Sequence, residues 1–232
     1  MTGLSYDEWQ VIYLSCKIAL FSLIITIIPA ILVGYWLARC QFFGKSLVET
    51  LVFLPLVLPP VIPGYLLLLG FGNQGIFGRY LSALGIELAF DWKGAVLASS
   101  VMGFPLMVQS VRLAIELVDR RLEIAAMTLG SSRIKVFFGI TLPLAKTGIL
   151  IGAMLAFCRS LGEFGATITF VGNIAGQTRT LPLAIYSLLQ QPNSDDKILR
   201  LMMISIAVAF VAMWIAQWYN RTQKHRLIND GL

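Results

Sequence analysis

The sequence predicts an all-α membrane protein with about five transmembrane helices. Hydrophobic residues make up 57% of the 232 residues, and the mean hydropathy is +0.79, which is well above that of soluble domains. The apolar residues form long stretches that reach the ~20 residues a helix needs to cross a bilayer. Basic residues lie mainly between these stretches, where they set membrane topology. The net charge of +6 therefore does not indicate a nucleic-acid partner.

The predicted spans cover approximately residues 11–37, 47–71, 94–115, 147–171 and 198–219. With five spans, the basic clusters after the first, third and fifth all fall on one side of the membrane. These clusters are Arg39 and Lys45; Arg120, Arg121, Arg133 and Lys135; and Arg221, Lys224 and Arg226. The positive-inside rule makes that side cytoplasmic, so we expect an external N-terminus and a cytoplasmic C-terminus.

The second predicted span is interrupted by four prolines: Pro55, Pro59, Pro60 and Pro63. Each proline removes a backbone donor and crowds the preceding turn, so a straight helix is not expected. Freed carbonyls within a membrane are tolerated only where protein or a water-lined cavity covers them. A kinked packing helix is one interpretation. A broken helix beside a translocation pathway, with Pro59, Pro60 and Pro63 lining it, is the favoured one.

The fourth predicted span carries small residues at every fourth position: Gly148, Gly152, Ala156 and Ser160. Such a stripe allows two membrane helices to approach closely. It is a candidate dimer contact, and packing within one subunit is the alternative.

Two charged residues, Arg159 and Glu163, lie four positions apart in the middle of the same span. Each would cost about 2.5–3.5 kcal/mol if it faced lipid, so both must face protein or water. They form either a structural ion pair or part of a translocation route or gate.

A polar, basic run from 119 to 149 lies around the end of the third span and the start of the fourth, and residues from about 116 to 146 are predicted to be a cytoplasmic loop. Asp119 can cap a short helix whose apolar face includes Leu122, Ala126 and Leu129. Gly130 can end that helix in a left-handed conformation. Ser131 or Ser132 can cap a second short helix, which we expect to end at a break at Leu142–Pro143.

Other functional classes find little support in these residues. The Gly44-Lys45-Ser46 triplet follows a membrane span, and Arg39 occupies the position of the first glycine of a phosphate-binding loop. The three cysteines have unrelated spacings, so neither disulfides nor a metal site is predicted. A membrane enzyme would need converging catalytic groups, and a stand-alone channel would not need the loop. We therefore predict no catalytic residues, metal or cofactor.

The loop resembles the E-A-A loop of ABC importer permeases, the element that seats in the ATPase subunit. The resemblance is carried by Glu123, Ala125, Ala126, Gly130, Ile140, Leu142 and Pro143, whereas Ile124 stands where many members have a polar residue. It implies that a separate ABC ATPase is docked by Leu122, Glu123, Ala125, Ala126, Leu129, Gly130, Leu142 and Pro143.

Over nearly the whole chain, the sequence resembles the molybdate permeases of ABC importers. The segments LPLVLPPVIPGYLLL and FCRSLGEFGATITFVGNIAGQTRTLPLAIY carry this resemblance. It implies a single permease domain (residues 1–232) of the type I importer fold in the bacterial cytoplasmic (inner) membrane. It also implies a homodimer, cytoplasmic ATPases and a periplasmic or extracellular oxyanion-binding protein. Sulfate and thiosulfate permeases share similar motifs, so they remain the alternative to molybdate and tungstate.

A dianion cannot rest in hydrocarbon, so its route needs hydroxyls, backbone donors or balanced charge. Thr167, Thr169 and the freed backbone near Pro59 to Gly64 are candidates for weak, transient contacts with it. Tight selection of the substrate would then lie mainly in the external binding protein.

Overall fold

The computed structural model describes residues 5–229, with side chains up to residue 215 and at residue 217, and all of its regular elements are helical. The α-helices are α1 (Tyr6–Arg39), α2 (Lys45–Val57), α3 (Val61–Phe71), α4 (Ile76–Ala83), α5 (Trp92–Glu116), α6 (Arg120–Thr128), α7 (Arg133–Val136), α8 (Leu142–Leu161), α9 (Gly165–Val171), α10 (Leu181–Leu189) and α11 (Asp195–Asn229). A π-helical turn (Phe137–Thr141) joins α7 to α8. The basic side chains of Arg221, Lys224 and Arg226 lie outside the described part.

Four continuous helical segments are long and apolar enough to cross a membrane: Tyr6–Arg39, Trp92–Glu116, Arg133–Leu161 and Asp195–Ile215. A fifth span is made only if α2 and α3 are taken together, because they are bent by 109° at a short break. The break lies at Leu58–Pro60, so the predicted broken helix in this proline-rich stretch is confirmed. Pro55 remains inside α2, and Pro63 lies in the first turn of α3.

Helix α5 is the centre of the bundle. In the C-terminal half of α5, buried residues that include Met107, Val111 and Ile115 pack with Ala30 and Leu37 of α1 and with residues of α8. In its N-terminal half, α5 packs with α1, α3 and α9 around the fully buried Phe170. Most large apolar residues on the outer faces of α1 and α11 are exposed, as lipid-facing side chains of a membrane protein are.

The predicted fourth span is not one continuous helix. Helix α8 ends at Leu161, and α9 begins at Gly165 after a short non-helical segment. The Glu163 carboxylate accepts a hydrogen bond from the Ala166 N–H at 2.8 Å, which satisfies a donor at the start of α9. This local capping, together with Gly162 and Gly165 at the break, explains why the apolar stretch does not continue as one helix.

The predicted break at Leu142–Pro143 is wrong. Helix α7, the π turn and α8 form one segment, Arg133–Leu161. The Leu142 N–H donates to the Phe137 carbonyl, five residues earlier. The wider turn leaves room for the Pro143 ring, whose nitrogen has no hydrogen to donate, so the chain passes through this proline without ending the helix.

Candidate functional site: the cytoplasmic loop and two broken spans

The first helix of the loop between α5 and α8, α6, has both of its predicted caps, Asp119 at its start and Gly130 after its end. The Asp119 side chain accepts from the Arg121 N–H at 2.9 Å, and α6 ends before Gly130, whose φ is +89°. The left-handed conformation lets the Ser131 N–H donate to the Ala126 carbonyl at 3.0 Å. Ser132, one of the two serines proposed as a cap, accepts from the Lys135 N–H at 3.4 Å. The predicted first helix and the Ser132 cap of the second are thereby confirmed, but the second helix continues into α8 and is not a separate short helix.

Most of the predicted docking residues lie on the surface of the chain. Leu122 and Leu129 are 50% and 87% exposed, which is unusual for leucines in a polar loop outside the bilayer. The remaining members are at least partly exposed: Ala125, Gly130 and Pro143 are exposed, and Ala126 and Leu142 are half-buried. No side chain of the described residues would lie within 4 Å of a Cβ added at Gly130.

Glu123 differs from the other docking candidates because it is buried, with 6% exposure. Its carboxylate pairs with Arg39, whose Nε lies 3.0 Å from Oε2 and whose Nη2 donates to Oε1 at 3.0 Å. The Thr141 hydroxyl donates to the same Oε1 at 2.6 Å, and Arg39 also donates to the Val118 carbonyl at 2.9 Å. Glu123 therefore fixes α6 to the end of α1 and to the π turn.

The sequence singled out Arg39 only as a topology charge and did not single out Thr141. Arg39 lies 84 positions from Glu123, and no spacing rule connects residues so far apart. A lone arginine at the end of an apolar span was the only available signal.

The two broken spans meet at their breaks. A Cβ added at Gly165, the first residue of α9, would lie 2.6 Å from the Cβ of Pro60, at the start of α3. A Cβ added at Gly64 would lie 2.6 Å from the Ala166 carbonyl oxygen and 3.0 Å from the Cβ of Thr169. Of the predicted pathway prolines, Pro59 and Pro60 are exposed at this junction, and Pro63 is buried. The structure thus brings together the proline break and the Arg159–Glu163 segment.

The charged pair of the fourth span is asymmetric. Glu163 is 1% exposed, whereas the Arg159 side chain is 26% exposed and pairs through Nη1 with Oε2 of Glu163. That contact lacks hydrogen-bond alignment, so Oε2 has no hydrogen-bond partner among the described residues. The Thr167 hydroxyl, also 1% exposed, has none within the same described part. Thr169 instead donates its hydroxyl to the Gly165 carbonyl at 2.8 Å.

The small-residue stripe of α8 packs within the chain. A Cβ added at Gly148 would lie 2.2 Å from the Cβ of Ala114, and one at Gly152 would lie 2.9 Å from the Cβ of Ser110, both on α5. Ala156 is buried, and Ser160 accepts from the Ser22 hydroxyl of α1 at 3.0 Å. The face offered as a dimer contact is therefore occupied by helices of the same subunit, the alternative that the sequence left open.

Residues 30–225 match the family described as the inner membrane component of binding-protein-dependent transport systems. The chain belongs to this family. An inner-membrane, multi-pass location and a transport role follow for the chain as a family member, in agreement with the predicted spans.

Several relatives of this transport component are similar over most of their length. The molybdenum transport system permease protein ModB of Escherichia coli (strain K12) is 50% identical over 224 residues, covering 96% of this chain and 98% of the relative. ModB of Haemophilus influenzae is 48% identical over 221 residues, covering 95% and 96%. The putative molybdenum transport system permease protein YvgM of Bacillus subtilis is 44% identical over 184 residues, covering 79% and 81%.

Solved structures confirm the fold class of this transport component. A bacterial ABC transporter involved in the import of alginate superimposes with a TM-score of 0.75 at 20% identity, covering 94% of this chain and 80% of the other. The MetNI methionine ABC transporter gives 0.67 at 14% identity, covering 93% and 94%. The predicted type I importer permease fold is therefore confirmed, and at these identities the likeness concerns the fold alone.

Proposed function

We propose that this protein is the permease subunit of an ATP-driven importer that carries molybdate, and also tungstate, into the cell. The observation that carries the proposal is the 50% identity to a molybdenum permease over nearly the full length of both chains. The chain acts as one permease domain, residues 1–232, in a homodimer. It has no catalytic role of its own, because ATP hydrolysis belongs to a separate subunit.

The loop around Gly130 is the docking site of that ATPase. The exposed face of Leu122, Ala126 and Leu129 supports this assignment, since these apolar side chains need a protein cover outside the bilayer. The basic residues of the loop make its side cytoplasmic, where ATP is available, and leave the N-terminus outside. Glu123 contributes indirectly, by holding α6 in place through Arg39 and Thr141.

Transport proceeds by alternating access between an inward-open and an outward-open cavity. ATP closes the ATPase pair, which moves the docked α6 helices and rocks the spans so that the cavity opens outward. The nucleotide can shift this equilibrium only by making different contacts in the two states. The external binding protein delivers the oxyanion to the outward-open state.

The oxyanion passes beside the junction of the two broken spans. Arg159 supplies a positive charge that is a quarter exposed, and Glu163 keeps that charge balanced when no anion is present. Further polar groups at this junction are the Thr167 hydroxyl, which is buried in this conformation and unpaired within the described part of the chain, and the backbone near Pro59 and Pro60. Weak contacts of this kind suit a carrier that must release its cargo.

The decisive test is uptake of labelled molybdate into vesicles that contain the permease, its ATPase and its binding protein. We expect ATP-dependent uptake that excess tungstate suppresses and excess sulfate leaves unchanged. Strong suppression by sulfate, together with sulfate uptake, would assign the protein to sulfate and thiosulfate transport instead. Uptake that persists without ATP would indicate a channel.

Co-purification tests the subunit composition separately. A tagged permease extracted in mild detergent should retain an ATPase with a nucleotide-binding domain. If the isolated permease turned over a substrate in the absence of that partner, it would be a membrane enzyme.

A further inference from the structure

A pocket of about 600 Å³ opens between the end of α1 and the beginning of the fourth span. Its apolar wall consists of Leu32 and Tyr35 from α1 and Phe137 and Phe138 from the π turn. The rings of Tyr35 and Phe137 meet edge to face, with centroids 4.8 Å apart. Leu32 and Phe138 are more than half exposed, and Ile28, one turn earlier on α1, is exposed as well. The wall therefore continues into the lipid-facing surface of α1.

The other side of the pocket is positively charged. Arg39, Arg120 and Arg133 line it together with one carboxylate, Glu123, so two positive charges remain uncompensated. Arg39 is already engaged by Glu123. Arg120 and Arg133 are exposed, and neither forms a salt bridge with any carboxylate in the described part of the chain.

We propose that this pocket binds an anionic phospholipid, with its phosphate between Arg120 and Arg133 and one acyl chain along Leu32 and Phe138. A soluble anion would satisfy the arginines but leave the apolar wall uncovered. A neutral lipid would cover the wall but leave two arginines without a counter-charge. A ligand that joins a phosphate to an acyl chain fits both surfaces. The lipid site does not depend on which oxyanion the transporter carries, whereas its place in the cytoplasmic leaflet and its effect on ATPase docking rest on the proposed function.

The position of the lipid gives it a role in the loop. Arg120 belongs to α6 and Arg133 to α7, whereas the apolar wall belongs to α1 and the π turn. One bound lipid thus bridges α1 and α6, which the Arg39–Glu123 pair joins, and adds α7 and the π turn. Anionic lipid is therefore expected to order the loop and to strengthen ATPase docking.

The experiment compares lipid retention by the intact permease–ATPase complex. The complex is exchanged into bilayer discs of phosphatidylcholine mixed with phosphatidylglycerol, and bound lipid is counted by native mass spectrometry. The double variant R120Q/R133Q should bind phosphatidylglycerol more weakly, by about fivefold for each arginine removed. The control R121Q/K135Q removes the same charge from the same loop at positions that do not line the pocket, and it should retain the lipid. The variant R120K/R133K keeps the charge and should bind nearly as well as the unmodified complex.

A second arm separates lipid from a soluble anion. The substitution F138S removes part of the apolar wall and should weaken phosphatidylglycerol binding while leaving the arginines in place. Inorganic phosphate should not displace the lipid. The proposal is overturned if inorganic phosphate displaces phosphatidylglycerol, or if R121Q/K135Q loses as much lipid as R120Q/R133Q. It is also overturned if adding the ATPase to the isolated permease expels the lipid, because the pocket would then be a protein contact.

Discussion

At the scale of single residues, Glu123 shows how one buried carboxylate determines the position of a whole loop. Three elements converge on it: α1 through Arg39, the π turn through Thr141, and α6, which carries it. The Glu123 carboxylate is contacted by the charged guanidinium of Arg39 and the hydroxyl of Thr141, and hydrogen bonds to an ionised group are stronger than neutral amide bonds. The loop is therefore held from inside the chain and leaves its outer face available.

We predict that Glu123→Ala lowers the free energy of unfolding by about 3–5 kcal/mol, because it leaves Arg39 buried without its partner. Chemical unfolding in detergent micelles measures this change. Glu116→Ala is the control: Glu116 is an exposed partner of Arg112, and Arg112 retains Glu49, so the loss should stay below about 1 kcal/mol. Equal losses in the two variants would contradict the structural role given to Glu123.

Gly130 provides a second residue-scale prediction. Gly130→Val places a β-branched side chain at a φ of +89°, which costs roughly 1–2 kcal/mol or more. It also projects atoms from the surface that we propose as the ATPase docking site. We expect normal membrane insertion but loss of ATPase co-purification and of uptake.

Gly44 is a matched control, because it has a φ of +86° and equally open surroundings, yet it lies outside the loop. Gly44→Val should cost similar stability and still retain the ATPase. If both variants lost the ATPase alike, backbone strain, and not docking, would explain the defect.

At the scale of elements, the break between α8 and α9 depends on two functions of Glu163. One carboxylate oxygen caps α9, and the other pairs with Arg159. Glu163→Gln keeps an acceptor for the Ala166 N–H but removes the charge, whereas Glu163→Ala removes both. We predict that Ala is more destabilising than Gln by about 1 kcal/mol, the usual contribution of a helix cap.

Unfolding and uptake are measured together for this pair. If Arg159 meets the passing anion, Glu163→Gln should fold and yet alter uptake, because it leaves that arginine uncompensated. Unchanged uptake in a folded Gln variant would reduce the pair to a structural role.

The stripe on α8 gives another prediction at this scale. Gly152→Val should force α5 and α8 apart, because even a Cβ would lie 2.9 Å from Ser110, and overpacking of this kind costs about 1–3 kcal/mol. Cysteines placed singly at Gly152 or Ala156 in a cysteine-free background should not cross-link between subunits. Efficient cross-linking at these positions would indicate that the stripe is a dimer contact.

At the scale of the whole molecule, the two broken spans are separated in sequence and meet only in the folded bundle. Gly165→Ala places a methyl group 2.6 Å from the Cβ of Pro60, so the breaks must separate. We predict that uptake falls severalfold while the ATPase still co-purifies, because α6, which carries half of the candidate docking residues, packs mainly on α7 and the π turn.

The control for this variant lies three residues earlier in the same break. At Gly162 the nearest atoms to an added Cβ are 3.8 and 4.0 Å away, which is ordinary contact distance. Gly162→Ala should therefore transport normally. Equal defects in both variants would indicate that the break needs glycine flexibility and not close packing.

The sequence by itself determined the class, the approximate positions of the first, third and fifth spans, the break in the second span and the first helix of the loop. These features follow from local signals: long apolar stretches, prolines that cannot continue a helix, an aspartate and a serine that cap, and a glycine that adopts positive φ. The broken second span was predictable because Pro59 and Pro60 act on their own neighbours. The family resemblance could also be predicted from the sequence, because it rests on motifs that occur in a fixed order along the chain.

Only the tertiary structure decided which side of each element is used. It buried Glu123 against Arg39, filled the α8 stripe with α5, carried the helix through Pro143 by a π turn, and brought Pro60 against Gly165. Each of these depends on contacts between residues far apart in the chain or on a hydrogen-bond shift within one turn. Periodicity places a residue on a face of its helix, but packing among helices decides what that face meets.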